Sequence, residues 1–139
     1  MQKEEFDFWQ EHSLTFLEMA FTTDRQEKMA GPDGHGKKTG DCGDTVEFFV
    51  ILDNDRIKTM SYMLDGCMHT NACANTIIKM AEGKSLNQVW EITPETVADY
   101  LQTLPEDHFH CAELAVGALY LALSDCRENS NMPWKKLYK

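Results

Sequence analysis

Apolar and polar side chains alternate along the middle of the chain in the manner of β-strands. In residues 45–52 one face carries an apolar set: Val46, Phe48, Val50 and Leu52. Turn-forming residues follow at 53–55, and residues 57–64 are again rich in strand-forming side chains. The pattern predicts an antiparallel hairpin. The glycine-rich stretch 31–40 before it predicts a loop, with room for a short edge strand.

Helical patterns surround the hairpin. We expect helices at residues 6–25, 71–82, 94–103 and 112–126. A short helix should follow Ser85, because Ser85-Leu86-Asn87-Gln88 has the S-x-x-Q form of a capping box. Thr93-Pro94-Glu95 places a cap and then proline at a helix start, and Gly83 fits the position after a helix end. This order of elements predicts an α+β fold, with a small antiparallel sheet packed against several helices.

Composition narrows the class of protein. With 139 residues and 42% hydrophobic content, the chain is expected to form a single domain, 1–139, with its own core. The formal net charge of −10 argues against nucleic acid and anionic membrane surfaces as partners. The first residues lack a signal-peptide pattern, and no apolar run approaches the roughly 18 residues of a membrane span. These features predict a cytoplasmic protein.

Five cysteines carry the most distinctive chemistry of the chain. Their number is odd and the cytoplasm keeps thiols reduced, so metal binding or thiol chemistry is expected rather than disulfides. Cys42, Cys67 and Cys111 each have glycine, aspartate or histidine as close neighbours. We expect these three thiols to be exposed and ionised. Cys67 and Cys111 also lie near predicted helix starts, where free N–H groups stabilise a thiolate.

The predicted hairpin brings two of these thiols together, because Cys42 precedes its first strand and Cys67 follows its second. Cys111 has to join them through tertiary packing. Asp44 and His110 lie beside the cysteines in sequence, so a carboxylate or an imidazole is available as a harder fourth ligand. Three thiolates with one exchangeable group predict a metal site.

The other cysteines and histidines have plainer interpretations. Cys126 follows Cys111 on the same predicted helix, about 22 Å further along its axis, and is expected to be a buried structural thiol. Cys73 lies inside a predicted helix between two alanines, which indicates packing. We expect solvated side chains for three lone histidines: His35, His69 and His108.

Three sequence blocks resemble those of the IscU/NifU amino-terminal family of iron–sulfur cluster assembly scaffolds. Gly40-Asp41-Cys42-Gly43-Asp44 is similar to the family's Ala-Cys-Gly-Asp block, and Asp65-Gly66-Cys67 is similar to its Tyr-Gly-Cys block. The family's Leu-Pro-Pro-Val-Lys-x-His-Cys-Ser-x-Leu-Ala block has its counterpart from Leu104-Pro105 to His110-Cys111-Ala112-Glu113-Leu114-Ala115. Gly83-Lys84-Ser85-Leu86 also matches. The resemblance covers a core at 36–126, which leaves 1–35 as a divergent N-terminal helical segment and 127–139 as a tail.

The resemblance implies a scaffold rather than an enzyme. Cys42, Cys67 and Cys111 would bind the iron of a labile [2Fe–2S] cluster, and Asp44 or His110 would complete the coordination. Cys111 would also be the persulfide acceptor. A cysteine desulfurase would supply the sulfur, and apo-proteins would receive the finished cluster. A non-thiolate ligand suits this function, because four thiolates would hold a cluster firmly.

One segment departs from the family. The Leu-Pro-Pro-Val-Lys sequence, at which a dedicated Hsp70-type chaperone docks, reads Leu104-Pro105-Glu106-Asp107-His108 here. The change puts docking of that chaperone in doubt. His69 and Cys73 are additional potential ligands near the site. The sequence leaves open whether the chain forms a homodimer and which metal it holds.

Three other functions are compatible with the same residues. Zinc at the site would make the chain a SufU-like acceptor of persulfide sulfur, with Cys111 as the poised thiol. A thiol enzyme would use Cys111 as nucleophile and His110 or His108 as base, although adjacent Cys and His side chains at a helix start point in different directions. A purely structural or adaptor domain is the plainest alternative, and the settings of the three cysteines argue against it.

Overall fold

The computed structural model describes residues 14–41 and 43–131, the last two of them by backbone alone. Within this part the elements follow in this order: α1 Leu14–Phe21, β1 Gly34–Thr39, β2 Thr45–Asp53, β3 Arg56–Asp65, α2 Met68–Ala81, α3 Leu86–Val89, α4 Pro94–Leu101, a 3₁₀ turn Glu106–His108 and α5 Phe109–Asn131. The predicted α+β arrangement of a small antiparallel sheet and several helices is confirmed.

The three strands form one antiparallel sheet in the order β1-β2-β3. The predicted hairpin consists of β2 and β3, and its register pairs Thr45 with Asp65 at the open end. Val46, Phe48 and Val50 are fully buried on one face, as the alternation of side chains predicted. The register therefore brings residues 44 and 66, which flank the hairpin, side by side.

The glycine-rich stretch before the hairpin contains a full edge strand. Residues 31–40 were expected to form a loop with room for a short edge strand, and Gly34–Thr39 form that strand, β1, which pairs with β2 along its whole length. A Cβ atom added to Gly36 would lie 2.3 Å from the backbone nitrogen of Ala122 in α5. Glycine here allows a strand to approach a helix closely, so the edge strand that the sequence allowed is present at residues 34–39.

Two helices begin earlier than the sequence pattern predicts. α2 begins at Met68 rather than near residue 71, and α5 begins at Phe109 rather than at residue 112. Both differences affect the candidate site. Cys67 becomes the N-cap residue of α2, and Cys111 lies in the first turn of α5.

Most of the predicted helix boundaries rest on caps that the structure confirms. Ser85 and Gln88 form the reciprocal capping box of α3, and the Thr93 side chain accepts a hydrogen bond from the Thr96 N–H at the start of α4. Gly83, after α2, has a positive φ of 84°. α1 ends at residue 21 rather than 25, α4 ends at 101 rather than 103, and α5 extends to 131. The predicted helical residues before 14 lie outside the described residues.

The long helix α5 forms the centre of the core. It packs on β1 and β2 and against α2 and α4. By length and composition alone, Glu106–Asn129 could also cross a membrane, with a mean hydropathy of 1.2. Because 56% of that window is buried inside the fold, a core helix accounts for the same apolar run. The segment is therefore weak evidence for a membrane span.

Candidate metal site

Four elements meet at one end of the sheet, namely the start of β2, the end of β3 and the starts of α2 and α5. The hairpin register places Asp44 beside Gly66, where an added Cβ would lie 2.9 Å from Asp44 Oδ2. Glycine at position 66 therefore leaves space for the carboxylate. Thr70, in the first turn of α2, donates a 2.9 Å hydrogen bond to the same oxygen. The Asp44 carboxylate is thus fixed at this end of the sheet.

Cys67 caps α2 at the protein surface. Its backbone is extended just before the helix, and its carbonyl accepts a 3.1 Å hydrogen bond from the Asn71 N–H. The thiol is exposed, as predicted, with Sγ 3.6 Å from Nδ1 of His69 and 3.7 Å from Oγ1 of Thr70. This sulfur is accessible from solvent.

Cys111 lies in the first turn of α5 and is fully buried. Burial raises the pKa of its thiol to about 11, although a 3.5 Å hydrogen bond from Thr70 Oγ1 acts in the opposite direction. The expectation of an exposed and ionised thiol is therefore wrong for Cys111 in the metal-free protein. Removing a thiolate from water disfavours its charge more than a helix start favours it.

Thr70 connects the predicted site residues, and sequence reasoning missed it. Its hydroxyl donates to Asp44 and lies 3.5 Å from the sulfur of Cys111 and 3.7 Å from that of Cys67. The Thr70 side chain is fully buried. A threonine three residues after a cysteine carries no signal by itself. Only the meeting of the hairpin with α2 and α5 shows that one hydroxyl contacts both thiols and the carboxylate.

Three imidazole rings lie beside the thiols. His69 stacks on His108 with ring centroids 3.7 Å apart and an interplanar angle of 8°, and the centroid of His110 lies 5.9 Å from that of His108. His110 is exposed, with Nε2 3.7 Å from Cys111 Sγ. His69 belongs to α2 and His108 to the 3₁₀ turn, and both are half-buried. The expectation of solvated loop histidines is therefore wrong for these two residues.

One group of potential metal ligands is close-packed within the part of the chain that the structure describes. The ligand atoms of three residues all lie within 4.8 Å of one another: Cys67, His108 and Cys111. Tertiary packing therefore brings together two of the three predicted thiols. The histidine of the group is His108, whereas the sequence pointed to His110, which borders it.

Cys42 lies outside the described residues. The residues on either side of it are described, and the Gly43 N–H donates a 3.0 Å hydrogen bond to the Gly40 carbonyl. Asp44, which follows Gly43, lies within hydrogen-bond distance of Thr70. The placement of Cys42 beside Cys67 thus stays a prediction from the hairpin.

Three further residues were expected to lie outside the site, namely Cys73, Cys126 and His35. Cys73 and Cys126 are both fully buried, as predicted. Burial raises the pKa of the Cys73 thiol well above its ordinary value. His35 is half-buried and pairs with the Glu47 carboxylate, so the expectation of a solvated side chain is wrong there as well.

Two open cavities border the site. One of about 560 Å³ lies between the end of β1 and the start of α5, with Asp41 and His110 in its lining. Another of about 360 Å³ is lined by Cys67 together with Phe21 and Leu64. Both cavities are open to solvent, and the second of them gives solvent access to Cys67.

We expect iodoacetamide to modify Cys67 at least about tenfold faster than Cys111 in the metal-free protein near pH 8. Cys67 is exposed, whereas the Cys111 thiol is buried and its pKa is raised to about 11. Since thiols react as thiolates, labelling of Cys111 should increase steeply as the pH approaches that value. Peptide mass spectrometry measures both rates.

Cys126 provides the control for access, because it is buried on the same helix but outside the thiol group. Its labelling should stay negligible until the protein unfolds, which circular dichroism would detect. Equal labelling of Cys67 and Cys111 near pH 8 would contradict the buried position of Cys111.

Comparison with known proteins bears on this site. The family model described as "NifU-like N terminal domain" matches residues 24–132. The chain belongs to this family. The resemblance drawn from the sequence blocks is thereby confirmed.

Curated relatives have names that refer to iron–sulfur cluster assembly. The two proteins named "Iron-sulfur cluster assembly scaffold protein IscU", 1 and 2, of Archaeoglobus fulgidus are each 32% identical over 84 residues, which cover 60% of this chain and 55% of the relative. The "Iron-sulfur cluster assembly protein IscU" of Plasmodium falciparum is 30% identical over 105 residues, which cover 76% of this chain and 63% of the relative. The chain thus spans little more than half the length of these relatives.

Solved structures support the fold alone, because their sequence identities are low. A SUF-system protein of Fervidobacterium islandicum, titled a putative iron–sulfur cluster assembly scaffold, superposes with a TM-score of 0.68 at 17% identity, covering 82% of this chain and 97% of that one. A NifU-like N-terminal protein of Brucella abortus superposes with a TM-score of 0.70 at 13% identity, covering 84% and 94%. Both agree with the α+β fold described above.

Proposed function

We propose that this chain, as one domain, is a cytoplasmic iron–sulfur cluster assembly scaffold and not an enzyme. It builds a labile [2Fe–2S] cluster on Cys42, Cys67 and Cys111 and transfers the cluster to apo-proteins. The observation that carries the proposal is the grouping of Cys67 and Cys111 with an imidazole, all within 4.8 Å, in a chain of the NifU-like family. Scaffold names among the relatives add support.

The ligand set suits a cluster that the scaffold binds only transiently and then transfers to another protein. Thiolates bind iron strongly, whereas a carboxylate or an imidazole exchanges more easily. Asp44 and His110 are the non-thiolate candidates from the sequence, and both border the thiol group. The Thr70 hydroxyl, which contacts both sulfurs, donates a 2.9 Å hydrogen bond to the Asp44 carboxylate and so keeps it beside the thiol group.

Sulfur would arrive from a cysteine desulfurase as a persulfide. The Cys111 thiolate attacks the outer sulfur of the donor's persulfide, the donor's cysteine leaves as a thiolate, and Cys111 carries the persulfide. Cys111 is fully buried, so this step requires the first turn of α5 to open. Docking of the usual Hsp70-type chaperone stays in doubt, because the corresponding segment contains the 3₁₀ turn Glu106–His108, which carries two exposed acidic residues.

A zinc-bound persulfide acceptor is the second candidate, because sulfur and nitrogen ligands also suit Zn²⁺. The SUF-system neighbour is titled a scaffold, so the comparisons give this candidate no advantage. The two candidates differ in what the chain holds, either iron with sulfide or zinc alone.

The deciding experiment is anaerobic purification followed by analysis of iron, zinc and acid-labile sulfide beside a visible spectrum. We expect near-equal iron and sulfide after reconstitution, with absorption between roughly 320 and 460 nm from thiolate-bound cluster. Transfer to an apo-ferredoxin should then remove both from the chain. Stoichiometric zinc without sulfide or colour, even after iron and sulfide are supplied, would reject the scaffold in favour of the zinc-bound acceptor.

A further inference from the structure

The first strand of the sheet has a neighbouring strand on only one side. β1 pairs with β2, and within the described residues no third strand lies beyond it. The side chains of its second half, residues 37–39, are all exposed. An open strand edge offers unpaired main-chain N–H and C=O groups, with which another extended chain can pair. The free edge of β1 is therefore a candidate docking surface.

One hydrogen bond shows which main-chain groups point outward from this edge. The His35 N–H points away from β2 and donates a 2.9 Å hydrogen bond to Asp125 Oδ2 of α5. N–H groups alternate between the two edges of a strand, so those of Lys37 and Thr39 point the same way. In the described part of the chain, no acceptor outside the sheet bonds to either N–H. Asp125 shows that a carboxylate satisfies a donor of this edge.

The exposed face of α5 borders the same edge. Glu113, Gly117 and Leu121 are four positions apart and therefore share a helix face. Glu113 lines the open cavity of about 560 Å³ together with Lys38 and Thr39, and the atoms nearest to a Cβ added at Gly117 belong to Lys38. Leu121 is 47% exposed. An added strand would thus have main-chain partners on one side and an open, partly apolar helix face beneath it.

The edge is basic in a chain of net charge −10. Lys37 and Lys38 point to opposite faces of the sheet, because successive side chains of a strand alternate. Neither lysine belongs to an ion pair of the described residues, and the carboxylate of Glu47, which lies opposite Lys37, pairs with His35. A segment added here would meet an unpaired ammonium group on each of its faces. Acidic side chains at two successive positions complement that arrangement.

We propose that the free edge of β1, residues 37–39, binds an extended acidic segment of another protein, which adds to the sheet as a fourth strand. A second copy of this chain fits poorly. Antiparallel pairing of two β1 strands about Lys37 or Lys38 would place that lysine directly opposite the same lysine of the other copy, and like charges there destabilise the pair. The inference goes beyond the proposed function, because it concerns a partner surface and does not depend on bound metal.

The probe is the synthetic peptide acetyl-Thr-Val-Glu-Glu-Val-Thr-amide, added to the metal-free full chain in the presence of a chelator. NMR-detected hydrogen exchange should show the amides of Lys37 and Thr39 protected at least about tenfold at saturation, because the peptide accepts their hydrogen bonds. The Lys38 amide, which points to β2, should change by less than about twofold. The same peptide with two lysines in place of the glutamates is the charge control and should bind at least about tenfold more weakly.

Two variants at one position test whether the main chain carries the binding. Thr39→Pro removes the outward N–H and leaves the hydrogen bonds to β2 in place, whereas Thr39→Val keeps the N–H. Both lose the hydroxyl that lies 2.8 Å from Thr45 Oγ1, so they are matched in that respect. We expect the glutamate peptide to bind at least about tenfold more weakly to Thr39→Pro, and to bind Thr39→Val within about twofold of the unsubstituted chain.

Several outcomes would overturn the inference. If Lys37 and Thr39 gain no protection up to about 1 mM peptide, the lysines only keep the edge from pairing. Equal binding of the two peptides, or equal binding to the two Thr39 variants, would reject an acidic strand at this edge. A dimer that Thr39→Pro dissociates in sedimentation would assign the edge to a second copy. If circular dichroism shows that Thr39→Pro does not fold, the exchange pattern of the unsubstituted chain decides alone.

Discussion

Replacing Cys111 with serine should reduce the iron and acid-labile sulfide retained after reconstitution by about tenfold or more. A serine hydroxyl is not ionised near neutral pH and binds iron far more weakly than a thiolate does. Cys111 lies within 4.8 Å of the ligand atoms of Cys67 and His108, so its loss removes a central ligand. Iron, sulfide and the visible spectrum of the purified variant measure the effect.

Cys126→Ser is the matched control. Cys126 is also fully buried on α5, but it lies about 22 Å further along the helix axis. Both substitutions bury a hydroxyl in place of a thiol, so both should lower stability to a similar degree. Only the Cys111 variant should lose the cluster. Retention of near-equal iron and sulfide by Cys111→Ser would contradict the proposed role of this thiol.

Replacing Gly36 with alanine should lower the free energy of unfolding by about 3 kcal/mol. The added Cβ would lie 2.3 Å from Ala122 N, 2.5 Å from Ala118 O and 2.8 Å from the Leu121 carbonyl carbon. All three atoms belong to the backbone of α5, which no rotamer change can move. Strand β1 would therefore have to separate from the helix. Urea denaturation followed by circular dichroism measures the change.

Gly117→Ala is the control for this prediction. Gly117 lies within α5, and the atoms nearest to its added Cβ belong to the Lys38 side chain, with the closest at 2.8 Å. A flexible lysine can turn away, and alanine is favoured over glycine in a helix by about 1 kcal/mol. The stability of this variant should therefore change by no more than about 1 kcal/mol. Similar losses in the two variants would contradict the close packing of β1 on α5.

The local patterns predicted most of the secondary structure. Alternation in residues 45–52 gave the buried face of β2, and the caps at Ser85 and Thr93 gave the starts of α3 and α4. These patterns predict structure well because they involve residues only two to four positions apart. A strand or a helix start determines the relative positions of such residues without any contact from the rest of the chain. The glycines at 34 and 36 did not distinguish a loop from an edge strand, because glycine occurs both in flexible loops and where a strand closely approaches a helix.

The site was predicted in part. The sequence pointed to Cys67 and Cys111, and the structure brings their sulfurs together with an imidazole. The sequence pattern predicted an exposed Cys111 thiol. Packing of α5 instead buries this thiol and raises its pKa. Thr70 carried no sequence signal as a site residue, and His108 entered only as a base for the thiol-enzyme alternative. Their positions beside the thiols depend on contacts with residues of other elements, which spacing along the chain cannot show.

The sequence by itself determined the family, the hairpin and the helix caps, and it pointed to three cysteines as candidate ligands. Each of these features depends on residues that lie close together in the sequence. Only the tertiary structure decided which polar groups meet at the end of the sheet. Thr70 reaches Asp44, 26 positions away, and Cys111, 41 positions away, because α2 and α5 pack together there. Burial, which raises the pKa of the Cys111 thiol, arises from the same long-range packing.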